Sequence, residues 1–304
     1  MVHERILVPL DGSSAAEMVI PYAEEIAVKF KSDLVLMNVS EPSGPEVEHL
    51  YRSYLEHTVE QTESLLRGRK EAEATKVSLE VLLGDPATEI LRRAAASDIV
   101  LIAMASRGCS ADGQCYEPWL LGSIASKVVQ ASDKPVLLVK APADKVLVEK
   151  RNVARRILVP LDGSKIGETA IPLAERLAQA LDAELVLFHV LELAPLPVML
   201  APGIQITYPV VTPDQQARQN VAALTYLERV EQRLVEKGLR VSSATSAGSP
   251  AAEIVKYAEA NGISLIAIST HGRSGVERWV LGSVAERLLH LGNTAMLTVR
   301  ASRE

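Results

Sequence analysis

Aromatic residues and cysteine are both scarce in this sequence. Phe, Trp and Tyr make up 4% of the 304 residues, so the core must be built from Val, Ile, Leu and Ala. That composition suits buried parallel strands flanked by alanine-rich helices. The two cysteines, Cys109 and Cys115, are too few for a disulfide scaffold and favour a cytoplasmic protein. We expect two free thiols there, with a local disulfide or redox switch as the alternative.

A basic excess and a membrane-spanning run are also missing. Lys and Arg number 32 against 38 Asp and Glu, a net charge of −6, which argues against a nucleic-acid partner. The first residues, MVHERILVPLDGS, carry charges and a turn where a signal peptide needs an apolar core. The longest uncharged stretch, residues 193–213, contains five prolines and so cannot be a transmembrane helix. We therefore expect no membrane partner, and this loop is left as either a lid or a contact surface.

The chain contains an internal repeat. The nine residues RILVPLDGS occupy positions 5–13 and occur again at 156–164, an offset of 151. Further matches follow in the same order along both halves. The sequence therefore predicts two tandem copies of one domain, at residues 1–145 and 152–304.

The offset between the copies changes along the chain, which locates insertions. GDPA at 84–87 matches GSPA at 248–251 at an offset of 164, and EPWLLGS at 117–123 matches ERWVLGS at 277–283 at 160. About thirteen extra residues thus lie in or near the proline-rich loop of the second copy, and about four lie near the two cysteines of the first. The copies should share an architecture but differ as binding sites.

Strand and helix signals alternate within each copy. In the first copy we predict strands at 6–10, 34–39, 77–82, 99–103 and 136–139, and helices at 14–30 (kinked at Pro21), 47–74, 87–96 (capped by Asp85) and 123–131. In the second copy we predict strands at 157–161, 185–190, 241–246, 265–269 and 295–299, and helices at 170–181, 217–237, 251–260 and 283–291. The order βαβαβαβαβ predicts an α/β fold, with a parallel, doubly wound sheet in each copy.

Ligands of open parallel sheets bind at the carboxyl ends of the strands, where the strand order reverses. One candidate there is the aspartate after strand one, Asp11 in the first copy and Asp162 in the second, which could bond a ribose hydroxyl or a base. The alternative is a helix cap, in which Asp11 or Ser13 accepts hydrogen bonds from the first amides of the next helix. A second candidate is the loop after strand four, where Gly282 and Ser283 open a helix. This loop is either a phosphate cradle, with Arg273 adding positive charge, or a simple strand-to-helix turn.

Motifs of several other functions are absent. The sequence has no GxxxxGK[ST], no GxGxxG after strand one, no HExxH, no CxxC and no GxSxG. His271 lies in the glycine-rich loop without an identifiable carboxylate partner, and His189 lies in an apolar strand, so both are more simply structural than catalytic. Trp119 and Trp279 are taken as packing residues.

These segments together resemble the universal stress protein family in its tandem-domain form. The resemblance rests on RILVPLDGS in both copies, LVLFHV, GSPAAEIV and STHGRSGVERWVLGS, and it covers nearly the whole chain. It implies two Rossmann-like domains of the adenine nucleotide alpha hydrolase type, each a five-stranded parallel sheet with helices on both faces. It also implies pairing through the fifth strands, within the chain or between chains, and a homodimer.

ATP-binding members of that family carry a Gly-2x-Gly-9x-Gly-Ser/Thr motif. The second copy matches its later part but has Ser269 in place of the first glycine, which should crowd the ligand slightly. The nucleotide-contacting residues that the resemblance implies in the second copy are Pro160, Leu161, Asp162, Val190, Ser269, Gly272, Arg273, Gly282, Ser283 and Val284. The first copy has Ala105 at the first glycine and a loop four residues too long. Its matching positions are Asp11, Val39, Gly108, Gly122 and Ser123.

The resemblance implies a regulatory, stress-response module that binds ATP, or AMP or ADP, with or without Mg²⁺. We expect the second copy to bind better than the first. No general base or metal-binding carboxylate cluster is evident in the sequence, so any ATP hydrolysis should be slow. The alternative is an interaction scaffold that binds no nucleotide, which the two glycine replacements favour.

Overall fold

Strands and helices alternate along both halves of the chain. The computed structural model describes residues 3–40, 45–107, 121–140, 154–192, 199–201, 204–205, 212–270 and 281–301. The first-half strands are β1 (Arg5–Pro9), β2 (Asp33–Ser40), β3 (Val77–Leu83), β4 (Ile99–Ala105) and β5 (Val136–Val139). The first-half helices are α1 (Ser14–Glu17), α2 (Ile20–Phe30), α3 (Pro45–Arg67), α4 (Pro86–Ala94) and α5 (Ser123–Ala131), with a 3-10 helix at Lys70–Ala72.

The second half repeats this order and adds a short hairpin. Its strands are β6 (Arg156–Pro160), β7 (Glu184–Leu191), β8 (Met199–Ala201), β9 (Ile204–Gln205), β10 (Arg240–Ala247), β11 (Leu265–Ser269) and β12 (Ala295–Val299). Its helices are α6 (Ile171–Leu181), α7 (Pro213–Val235), α8 (Pro250–Ala260) and α9 (Ser283–His290), with a 3-10 helix at Gly167–Ala170. The antiparallel pair β8–β9 falls within the proline-rich segment and was not predicted. None of the described helices is long and apolar enough to cross a bilayer.

Two first-half helices differ most from their predicted bounds. The single helix expected at 14–30 is two helices, because Pro21 lies in the first turn of α2 and cannot donate the hydrogen bond that a continuous helix requires there. The helix expected at 47–74 ends at Arg67, before Gly68, a residue of low helix propensity. The cap predicted at Asp85 is confirmed, since its carboxylate accepts a hydrogen bond of 2.9 Å from the Thr88 amide.

The strands form one ten-stranded sheet with the order β10-β7-β6-β11-β12-β5-β4-β1-β2-β3. Within each half the pairs are parallel, and the first strand lies between the second and the fourth. This confirms the doubly wound α/β architecture. The strand order therefore reverses beside β1 in the first half and beside β6 in the second. At the centre of the sheet β12 runs antiparallel to β5, with Leu297 opposite Leu137.

Each face of the sheet carries a hydrophobic layer that continues through both halves. Alternate residues of β1 illustrate this, because Ile6 and Val8 pack under α2 and α3 while Leu7 packs on the other face. The first layer also includes residues of α6 and α7, and the second includes residues of α4, α5, α8 and α9. Helices on both faces explain why the central strands β4, β5, β11 and β12 are almost entirely apolar.

Two basic side chains cross between the halves in a reciprocal arrangement. Lys140, directly after β5, is 7% exposed, and its Nζ donates to the carbonyl oxygens of Leu288, Leu291 and Gly292 at 2.6–3.0 Å. Arg300, directly after β12, donates to the carbonyl oxygens of Ala131 and Ser132. Each half thus supplies a cation to the C-terminal end of a helix in the other half, where the helix dipole is negative.

Candidate functional site

A cleft of about 660 Å³ lies at the carboxyl ends of β6 and β11, where the strand order of the second half reverses. It falls within the size range of small-ligand pockets, roughly 300–1,000 Å³. Every site residue predicted for the second half that lies in the described ranges contributes to its lining: Pro160, Leu161, Asp162, Val190, Ser269, Gly282, Ser283 and Val284. The structure therefore gathers residues more than a hundred positions apart around one cavity.

The turn after β6 holds Asp162 in a defined position. Its Oδ1 accepts hydrogen bonds from the Ser164 amide at 3.0 Å and the Ser164 hydroxyl at 2.6 Å. The Ser164 Oγ in turn accepts from the Gly167 amide at 3.0 Å. A Cβ added to Gly167 would lie 2.6 Å from Asp162 Oδ1, so only glycine permits this arrangement. Asp162 thus orders the turn while it also lines the cleft.

The equivalent turn of the first half is simpler. Asp11 is exposed. Among the described residues, its one hydrogen-bond donor is the Ser13 amide, at 2.9 Å. Ser13 is the N-cap of α1, and its Oγ accepts from the Ala16 amide at 3.1 Å. The capping interpretation is therefore confirmed for Ser13. Val39 lies near the end of β2, while Gly122 and Ser123 lie at the start of α5, so these predicted residues occupy the corresponding places of the first half.

His189, near the end of β7, lines the cleft and contacts the turn after β6. It is 8% exposed, and its Nδ1 lies 2.8 Å from the carbonyl oxygen of Leu161. Asn38 makes the equivalent bond in the first half, since its Nδ2 donates to the Leu10 carbonyl at 2.8 Å. Both side chains tie the second strand of their half to the turn that carries the aspartate.

Two helices, α9 beside the cleft and α5 in the first half, begin with backbone amides that have no side-chain cap. Gly282 is the N-cap of α9, and its own amide donates to the Thr270 carbonyl at 2.7 Å. Gly122 does the same in the first half, with the Ser106 carbonyl at 2.9 Å. A Cβ on Gly122 would lie 3.2 Å from the Ser106 oxygen, so glycine allows this close approach. First-turn amides without a side-chain cap among the described residues, together with the positive end of the helix dipole, favour an anion.

Ser269 stands at the position of the first glycine in the ATP-binding motif, and its hydroxyl pairs with that of Thr169. Ser269 is 5% exposed, lines the cleft, and its Oγ lies 3.1 Å from Thr169 Oγ1. Thr169 itself donates to the Ile166 carbonyl at 2.7 Å. The Ser269 side chain is therefore held against the 3-10 turn.

One wall of the cleft comes from α7 and was missed by sequence reasoning. Gln219, Ala222, Ala223 and Tyr226 line it. The Tyr226 hydroxyl donates to Glu168 at 3.1 Å, and burial, followed by the Glu168 charge, raises the pKa of Tyr226. The spacing of three and four residues was a usable signal, because it places these side chains on one face of a helix. Gly167, Phe188, Pro250 and Ile254 also line the cleft and were not predicted.

Several predicted residues lie outside the described ranges. These are Gly108, Gly272 and Arg273 of the expected phosphate loops, together with Cys109, Cys115, Trp119, His271 and Trp279. Most of the proline-rich segment 193–213 also lies outside them. Across the ranges that the structure does describe, no group of three or more His, Cys, Asp or Glu side chains is placed to hold a metal ion.

The fold and the cleft define a class: a doubly wound α/β protein with a small-ligand site at the reversal of strand order. The model of the universal stress protein family matches residues 3–140 and again 154–300. The chain belongs to this family, and the match occurs once in each half.

Similar proteins include both half-length and full-length relatives. Universal stress protein YxiE of Bacillus subtilis is 30% identical over 145 residues, which cover 48% of this chain and 98% of YxiE. A universal stress protein of Mycobacterium tuberculosis is 26% identical over 320 residues, covering 98% of this chain and 96% of the relative. The crystal structure of a universal stress protein from Archaeoglobus fulgidus has a TM-score of 0.64 at 22% identity, with 98% of each chain covered. That last likeness is one of fold.

Proposed function

We propose that this chain is a universal stress protein that binds ATP, or a related adenine nucleotide, in the second-half cleft in preference to the first half. The observation that carries the proposal is the cleft itself, which combines an anchored aspartate, apolar walls and uncapped helix amides. Binding would stabilise one state of the protein and so act as a regulatory signal in a stress response.

The cleft residues suit the separate parts of a nucleotide. Asp162 would accept hydrogen bonds from ribose or base, and the apolar side chains of Phe188, Val190 and Ile254 suit the faces of a base. The first turn of α9, which begins after Gly282, would bind the phosphates through its amides. Arg273 would add positive charge there on the basis of its sequence position.

We propose binding without efficient hydrolysis. The described cleft contains no set of carboxylates for a metal, so any Mg²⁺ would be held chiefly by the nucleotide phosphates. Phosphoryl transfer depends on positioned metal ions and charge-stabilising groups. Slow turnover is therefore expected.

The pairing of the two halves through β5 and β12 is proposed as the arrangement in solution. The antiparallel register and the reciprocal contacts of Lys140 and Arg300 support it. Each of these two strands then has a neighbour on both sides, so a homodimer would use another surface. The homodimer and the boundaries 1–145 and 152–304 stay predictions.

A direct test starts from the purified full-length protein. Denaturing it and assaying the supernatant should reveal adenine nucleotide, and millimolar ATP should raise the melting temperature of nucleotide-free protein. If no nucleotide is released and ATP causes no thermal shift, nucleotide binding is rejected. That result would favour the scaffold alternative, to which the Ser269 replacement points.

Two matched variants test the preference between the halves. Gly282→Asp adds a carboxylate that competes for the first-turn amides of α9 and repels phosphate, so affinity for ATP should fall at least about tenfold. Gly122→Asp makes the same change at α5 and should leave most binding intact. Equal losses, or a loss only in Gly122→Asp, contradict the preference for the second half.

A further inference from the structure

The long helices of the two halves can be aligned by a shared tyrosine contact. The Tyr54 hydroxyl of α3 donates to Glu17 at 2.9 Å, and the Tyr226 hydroxyl of α7 donates to Glu168 at 3.1 Å. Glu17 and Glu168 are themselves equivalent, since they lie 151 residues apart, the offset of this part of the repeat. The charge of the strand-one aspartate, Asp11 or Asp162, contributes to the raised pKa of the corresponding tyrosine. Tyr54 and Tyr226 therefore occupy equivalent positions in the two halves.

One turn earlier on the same helix face, the halves differ. Three residues before these tyrosines stand Tyr51 in α3 and Ala223 in α7. The Tyr51 ring lies beside the turn after Asp11, because a Cβ added to Gly12 would lie 3.9 Å from Tyr51 Cε1. Ala223, by contrast, lines the second-half cleft together with Gly163, the equivalent of Gly12.

The glycine after the aspartate has the same backbone conformation in both halves. Gly12 and Gly163 have φ angles of 85° and 83°, so both turns place a left-handed glycine at this position. Next to this shared glycine the long helix presents a phenol ring in one half and a methyl group in the other.

We infer that the residue at this helix position determines which half admits an adenine nucleotide: Tyr51 closes the first-half crevice beside Asp11, and Ala223 keeps the second-half cleft open beside Asp162. The inference rests on the proposed function and adds a specificity-determining position. It also explains a difference between the halves without reference to the loops after strand four.

The test exchanges the two side chains in the full-length protein and measures ATP binding by calorimetry. Ala223→Tyr should weaken binding to the second half at least about tenfold. Tyr51→Ala, made in the Gly282→Asp background so that the first half is observed alone, should gain at least about tenfold in affinity. Val221→Tyr is the matched control, since it adds the same ring on α7 at a side chain that is 63% exposed, and it should bind as the unmodified protein does.

The outcomes separate this inference from the proposed function. The inference is overturned, and the proposed function remains, if the unmodified protein binds ATP and Ala223→Tyr binds it equally well. The same holds if Tyr51→Ala gains no affinity for ATP. No binding by the unmodified protein overturns both. If Ala223→Tyr fails to fold by circular dichroism, the Tyr51→Ala measurement decides, because removing a ring from a half-buried position adds no volume.

Discussion

At the scale of single residues, the position of the Asp162 carboxylate depends on a glycine. Asp162 Oδ1 occupies space that a side chain at position 167 would need, 2.6 Å from the place of a Cβ. The equivalent residue of the first half is Ala16, and there Asp11 is exposed. The halves therefore differ in how their aspartates are held, even though both carry the same LDGS turn.

We predict that Gly167→Ala displaces the Asp162 carboxylate and breaks its bonds to Ser164. Nucleotide affinity of the full-length protein should fall about tenfold, and stability should fall by about 1–2 kcal/mol for the lost hydrogen bonds. Gly68→Ala is the control, because a Cβ there meets no atom within 4 Å. Titration calorimetry and urea unfolding provide the two measurements, and an affinity equal to that of the control would contradict the role of Gly167.

At the scale of secondary-structure elements, a cluster of ion pairs joins helix α4 to the sheet. Arg93, in the last turn of α4, donates to Asp98 through Nη1 and Nη2, both at 3.0 Å, and through Nε to Glu80 of β3 at 2.9 Å. Arg5 of β1 also contacts Asp98, at 3.3 Å. Hydrogen bonds from Arg93 are the largest cause that lowers the pKa of Asp98.

The lowered pKa of Asp98 determines the sign of a pH effect. A carboxyl whose pKa is lower in the folded state stabilises the fold above its unfolded pKa, about 4, and that contribution is lost as the pH falls through the folded pKa. Asp98→Asn should therefore lower stability by roughly 1–2 kcal/mol at pH 7, after allowance for solvent screening, and the difference from the unmodified protein should shrink below about pH 4.

Urea unfolding between pH 2.5 and 7 measures this difference. Asp182→Asn is the control, since the Asp182 side chain is 95% exposed in its pair with Arg240 and should matter little at any pH. A difference between Asp98→Asn and the unmodified protein that stays constant down to pH 2.5 would contradict the assignment.

At the scale of the whole molecule, the two halves are joined by paired strands, continuous apolar layers and reciprocal helix caps. Arg176 of α6 adds a contact on one face, with its guanidinium carbon 4.0 Å from the centroid of the Phe30 ring of α2. Burial, followed by the charge of Arg107, lowers the pKa of Lys140 to about 8. The ammonium of Lys140 is therefore mostly protonated at pH 7, where its three bonds to α9 and the residues that follow it are charge-assisted.

We predict that Lys140→Met lowers the free energy of unfolding by about 2 kcal/mol at pH 7. The cause is the loss of hydrogen bonds from a charged donor to carbonyl oxygens near the end of α9. Lys127→Met, at an exposed position of α5, is the control and should change stability by less than about 0.5 kcal/mol. Urea unfolding compares the two, and equal effects would show that the Lys140 contacts do not stabilise the pairing of the halves.

Much of the architecture could be read from local signals along the chain. The duplicated RILVPLDGS segment, the alternation of apolar runs with helical patterns, and the Asp85 cap all depend on residues within one turn or strand of each other. Such signals identified the ten strands of the large sheet to within about two residues, whereas most of the eight described second-half residues that line the cleft came from the family resemblance. They did not foresee that Pro21 begins a new helix, because a proline pattern is compatible with a kink or a break.

The sequence by itself determined that this protein consists of two copies of one α/β unit, and which strand ends carry its candidate ligand residues. Only the tertiary structure decided that α7 forms a wall of the second-half cleft, that Tyr51 lies beside the Asp11 turn, and that Lys140 reaches the end of α9. The physical reason is distance along the chain. Periodicity and capping act between near neighbours, whereas these contacts join residues from about 40 to about 150 positions apart and exist only once the sheet has aligned its elements.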